Sequence, residues 1–181
     1  MGFGLLLLGY FTVLGVLPTS FVYNSYMIAV PIIGAVMMFV AFHRLQAYNI
    51  YFKSMKYICG SYILLLAGLA PFLIIYHSDM PDSFLYVSKA LRIFLLFVFH
   101  YFLLYAVNSL AKQIDNPKII RASRRNIYAT YSYFIICVLA LFPVRGIYAI
   151  YFQVFSMVFG IIYYFLIIVN IFSCYVKITT E

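Results

Sequence analysis

Lys89, Arg92 and His100 are the residues of this chain best placed to do chemistry. With Leu96 they follow one another at intervals of three, four and four residues, and at about 100° per residue such positions share one face of a helix. Two cations above an imidazole make a site for an anion. The Arg92 guanidinium can clamp a carboxylate or phosphate through two parallel hydrogen bonds, Lys89 adds a point charge, and His100 can change charge near neutral pH. Gln153, Ser156, Gly160 and Tyr164 recur at helical spacing in a later apolar segment. They suit a facing helix, either as ligand-lining groups or as the small and polar residues that let helices pack closely. The plainer alternative has Lys89 and Arg92 snorkelling to lipid headgroups while His100 bonds to a neighbouring helix.

The rest of the inventory narrows the chemistry. Asp79, Asp82, Asp115 and Glu181 are the only carboxylates, and none lies inside an apolar run. Proton relays, intramembrane hydrolysis and magnesium-assisted phosphoryl transfer commonly use carboxylates within the membrane, so an enzyme is not expected. His77, Asp79 and Asp82 share a short connection and could surround a divalent cation, but acidic residues at that point serve better to cap a following helix. No metal and no cofactor is expected. Cys59, Cys137 and Cys174 are odd in number and contain no Cys-x-x-Cys pair, which suits small hydrophobes rather than a disulfide framework.

The elements that must position these side chains follow from an extreme composition. Hydrophobic residues make up 67% and charged residues 9% of the 181 positions, against about 45–50% and about 25% in ordinary soluble domains. The charges fall in patches between six apolar segments: Gly2 to Leu17, Phe21 to Phe42, Tyr57 to Tyr76, Leu91 to Leu110, Ile127 to Val144 and Ile147 to Tyr175. Most approach the ~20 residues that cross a hydrocarbon core. Runs such as Leu5 to Leu8 and Phe94 to Phe99 do not alternate apolar with polar residues, which excludes barrel strands and favours helices. The expected fold is all-α, a single polytopic integral membrane bundle of six transmembrane helices. Kinks are expected at Pro31 and Pro71, because proline removes a backbone donor.

Basic residues set the orientation. The connection from His43 to Lys56 carries Arg44, Lys53 and Lys56, and that from Lys112 to Asn126 carries Lys112, Lys118, Arg121, Arg124 and Arg125. Both belong in the cytoplasm by the positive-inside rule, with both termini on that side. Nine basic residues then lie inside, counting Lys177, and Lys89, Arg92 and Arg145 lie near the outer face. The net charge of +8 thus reflects orientation and anionic lipid rather than nucleic acid. Lys118, Arg121, Arg124 and Arg125 are expected to touch lipid headgroups, and tyrosines near span ends, such as Tyr57 and Tyr128, to anchor the interface. The composition points to a non-enzymatic subunit or regulatory partner of another integral membrane protein, in the plasma membrane. The alternative is a small transporter or ligand-capturing subunit that uses the His100 face.

Overall fold

The computed structural model describes residues 2–14, 25–75, 82–141 and 147–180. They form six helices and no strand: α1 (Gly2–Leu14), α2 (Ser25–Leu45), α3 (Ile50–Ile75), α4 (Asp82–Gln113), α5 (Pro117–Leu139) and α6 (Ile147–Thr180). Several helices begin before their apolar segments. α3 begins at Ile50 and α4 at Asp82, because the backbone ladder continues through charged turns that hydropathy does not register. Pro31 and Pro71 lie inside continuous helices.

The basic connections are correspondingly short, which corrects the expectation of a long loop from Lys112 to Asn126. Asp115, with φ at 47°, ends α4 in the left-handed conformation that Asp tolerates. The Asn116 N–H then reaches back to the Ala111 carbonyl at 3.0 Å and the Asp115 N–H to that of Lys112 at 3.3 Å, the paired bonds of a Schellman stop. Asn116 immediately caps the next helix, its side chain accepting from the Ile119 N–H at 3.2 Å, and Pro117 follows in the first turn, where a missing N–H is harmless. The segment read as a basic loop is therefore the opening of α5. The α2–α3 turn works similarly: Asn49 accepts from the Tyr51 N–H at 3.0 Å and donates to Ser109 Oγ on α4 at 3.0 Å.

Successive helices pack antiparallel, and α6 returns to α1, closing a ring. Gly2 lies against Leu45, and Gly9 lies so close to α2 that an added Cβ would meet the Gly34 carbonyl at 2.7 Å. Cys59 donates to the Ala35 carbonyl at 3.1 Å across α2 and α3. The Tyr51 and Tyr105 rings join α3 to α4, with centres 4.9 Å apart. Phe97 and Phe134 join α4 to α5 at 4.3 Å. Tyr10 of α1 meets Tyr164 of α6 at 6.1 Å. α1 also reaches across the ring, placing Phe3 against Phe52 of α3 at 5.9 Å.

Alternation of direction gathers Gly2, Thr180 and both short turns at one end. That end carries Arg44, Lys53, Lys56, Lys112, Lys118, Arg121, Arg124, Arg125 and Lys177, with Asp115 its only acid among the described residues. Polar side chains lie within a mainly apolar core, and apolar side chains are exposed at the surface. His100, Ser123, Asn126, Thr130 and Asn170 are buried, whereas Ile150, Val154, Val158, Ile161, Phe165, Val169, Phe172 and Val176 run exposed along α6. Water-soluble monomers rarely expose large contiguous apolar patches. Among the described residues, two stretches, Tyr86–Gln113 and Ile150–Lys177, are long and apolar enough to cross a membrane.

Candidate functional site

His100 sits at the centre of the ring, 2% exposed. Its Nε2 lies 2.6 Å from the Tyr10 hydroxyl, so α4 is hydrogen-bonded to α1 across the bundle. Four rings surround the imidazole: Tyr10 at 5.7 Å, Phe99 at 5.6 Å, and Tyr163 and Tyr164 at 5.4 Å each. All stand at steep angles to it, from 67° to 84°, which brings ring edges against π faces, a favoured arrangement. The imidazole serves its bond to Tyr10 as donor or acceptor according to its tautomer.

Beside this cluster runs a polar seam between α5 and α6. Ser123, Asn126, Thr130 and Tyr133 are spaced three, four and three residues apart, one face of a helix, and all are buried. Asn170 of α6 donates to Ser123 Oγ at 3.0 Å, and Asn126 donates to the Leu166 carbonyl at 3.0 Å. Thr130 Oγ donates to the Asn126 carbonyl at 2.8 Å and accepts the Tyr163 hydroxyl at 2.9 Å. Tyr133 stacks on Tyr163 with centres 4.5 Å apart. Gly160 makes this approach possible, since a Cβ there would lie 3.2 Å from the Tyr133 hydroxyl oxygen. In a bundle with apolar surroundings, these pairs fix helix register more sharply than interchangeable aliphatic contacts. One acceptor, Asn126 Oδ1, is buried without a protein partner.

Between α4, α5 and α6 lies a cavity of about 20 Å³ lined by His100, Thr130, Tyr133, Cys137 and Tyr163 together with Leu96, Phe97 and Phe134. That is room for about one water molecule.

The residues singled out in the sequence are only partly brought together. His100 and Tyr164 meet in the central cluster. Lys89 is half-buried, with its ammonium 5.9 Å from the centre of the Tyr86 ring on its own helix, about 16 Å along the axis from His100. Ser156 is half-buried on α6. The side chains of Arg92 and Gln153 lie outside the described residues, as does most of the connection carrying His77 and Asp79. Tyr10, Thr130 and Tyr163 form the polar contacts at the centre without having been grouped with His100. The spacing of Ser123, Asn126 and Thr130 was a legible signal for the seam, whereas nothing local to Tyr10 announces a bond to a residue 90 positions away. Among the described residues, no group of three or more His, Cys, Asp or Glu side chains could hold a metal ion.

Lys118, Arg121, Arg124 and Arg125 are all exposed on the first turns of α5, opposite the buried seam. No protein-family model matches the chain, no curated protein matches it significantly in sequence, and no solved structure matches it significantly in fold.

Proposed function

We propose that the chain is a six-span integral membrane protein with both termini and the basic end in the cytoplasm, working as a non-enzymatic subunit or regulatory partner in a membrane complex. The observation that carries this proposal is the long exposed apolar face of α6, around a core that holds paired polar side chains. Tyr10 is paired with His100 and Thr130 with Tyr163 inside, whereas the long outer face of α6 is aliphatic and aromatic. A bilayer covers such an exterior without cost, and water does not. Nine basic residues at one end support the orientation, since cytoplasmic connections collect Lys and Arg. The plasma membrane, with its anionic inner leaflet, is the setting that suits this charge.

The long exposed apolar face of α6 favours recognition at outer surfaces. Purification of the tagged full-length chain in mild detergent tests the assignment. Stoichiometric copurification of another integral membrane protein is the expected result. A monodisperse isolated bundle carrying a small molecule at His100 would replace it with the alternative, a transporter or ligand-capturing subunit. The cavity beside His100, lined also by Thr130 and Cys137, is the observation that keeps this alternative specific.

A further inference from the structure

The outer face of α5 changes character along its length in an order that matches one leaflet of a bilayer. On a helical wheel at about 100° per residue, Lys118, Arg121, Arg124 and Arg125 occupy an arc of about 120°. Its centre lies nearly opposite the buried Ile119, Ser123, Asn126 and Thr130. The four cations therefore point sideways, away from the bundle, rather than along its axis. They span about 10 Å of helix. Farther along the same face come Tyr128, 74% exposed, and Tyr131, 43% exposed, and then Ile135 and Leu139, exposed at 57% and 48%. Cations, hydroxyl-bearing rings and aliphatic side chains follow one another as headgroup, interface and hydrocarbon do.

The placement of the cations also needs explaining. They lie in the first three turns of α5, whose first turn holds no acidic residue, and only Lys118 is close enough to the N-terminus for the helix dipole to disfavour its charge. Phosphate opposes both the dipole and the side-chain charge, and Arg binds it through two parallel hydrogen bonds.

We propose that α5 binds an anionic glycerophospholipid along this face, its phosphate held by Arg121 and Arg125 with Lys118 and Arg124 at the flanks, and its acyl chains lying over Tyr128, Ile135 and Leu139. The proposal rests on the membrane orientation given above and names a lipid partner for it. An acidic protein surface could match the four charges but not the apolar continuation of the stripe.

The test uses full-length protein reconstituted in phosphatidylcholine vesicles with and without phosphatidylglycerol, then extracted in mild detergent, with the retained lipid identified by mass spectrometry. Phosphatidylglycerol should be retained over phosphatidylcholine. Retention should fall up to about five-fold for each charge removed in the Arg121→Gln/Arg125→Gln variant and disappear when Lys118→Gln and Arg124→Gln are added. The Arg44→Gln/Lys53→Gln variant, which removes equal charge at the same end, should retain the lipid. Equal retention of the two lipids, or the same loss in both double variants, would overturn the proposal. Should the quadruple variant misfold, the two double variants still decide the matter. Alkaline extraction separates the underlying failure: a chain released from the vesicles overturns the membrane orientation and the lipid site together, whereas a chain that stays embedded without lipid preference overturns the lipid site alone.

Discussion

Replacing Tyr10 with Phe removes one hydroxyl and leaves the rest of the central cluster in place. The Tyr10 ring keeps its edge contact with His100 at 5.7 Å and with Tyr164 at 6.1 Å, so no cavity of consequence opens. What is lost is the 2.6 Å bond to His100 Nε2, on an imidazole that is 2% exposed. Interhelical hydrogen bonds in membranes average about 0.6 kcal/mol and reach about 1.7, while an orphaned buried acceptor costs about 1–3 kcal/mol. Tyr10→Phe should therefore destabilise the bundle by about 1–2 kcal/mol. His100→Leu should cost about 2–3 kcal/mol, since it orphans the Tyr10 hydroxyl and discards the ring contacts as well. In the double variant, Tyr10→Phe should add less than about 0.5 kcal/mol, giving a coupling energy of about 0.5–2 kcal/mol. Unfolding by sodium dodecyl sulfate in bicelles, followed by circular dichroism, measures each corner of the cycle. Tyr128→Phe, at a site 74% exposed, serves as a control expected to change nothing. Additive effects of the two central replacements would refute the assigned bond.

Four other substitutions test separate parts of the structure. Gly9→Ala should loosen α1 from α2 by about 1–3 kcal/mol, because its methyl would meet the Gly34 carbonyl at 2.7 Å. Gly68→Ala, with nothing within 4 Å of the new methyl, should be neutral or stabilising in the same unfolding assay. Thr130→Val keeps the shape of the seam but strands the Tyr163 hydroxyl bonded to it at 2.9 Å, and should cost about 1 kcal/mol. Asn116→Ala removes the cap on the Ile119 N–H and should cost about 0.5–2 kcal/mol, with hydrogen exchange accelerated in the first turn of α5 and unchanged around Asn126.

The six helices were legible because each contains a long apolar run, and hydropathy reports such runs directly. Their ends were not. Lys53 and Lys56 lie within α3, and Lys118, Arg121, Arg124 and Arg125 within α5, yet charge makes these turns look like loops. Asn116 followed by Pro117 was the available signal for a helix start, a capping residue before a proline in the first turn. Much of the centre was harder to read. His100 stood out because an ionisable residue within an apolar run is unusual, and Tyr164 emerged from the spacing of the last helix. Tyr10, by contrast, is one of nineteen tyrosines in the chain, and its partner is set by how α1 packs on α2 and α6 rather than by anything in its neighbourhood. The alignment of Lys89 with His100 was sound as helical geometry. It did not place them in one pocket, because residues on a common face can still be separated by three turns.

The membrane assignment and its orientation meet their most direct test in cysteine labelling of intact cells with a membrane-impermeant maleimide, in a background where Cys59, Cys137 and Cys174 are replaced by serine. Asp79→Cys, between the third and fourth helices, should be labelled from outside. Tyr48→Cys and Asp115→Cys, in the two turns of the basic end, should react only after the cells are permeabilised. Labelling of Tyr48→Cys or Asp115→Cys in intact cells, or protection of Asp79→Cys, would contradict the six-span bundle with its basic end in the cytoplasm.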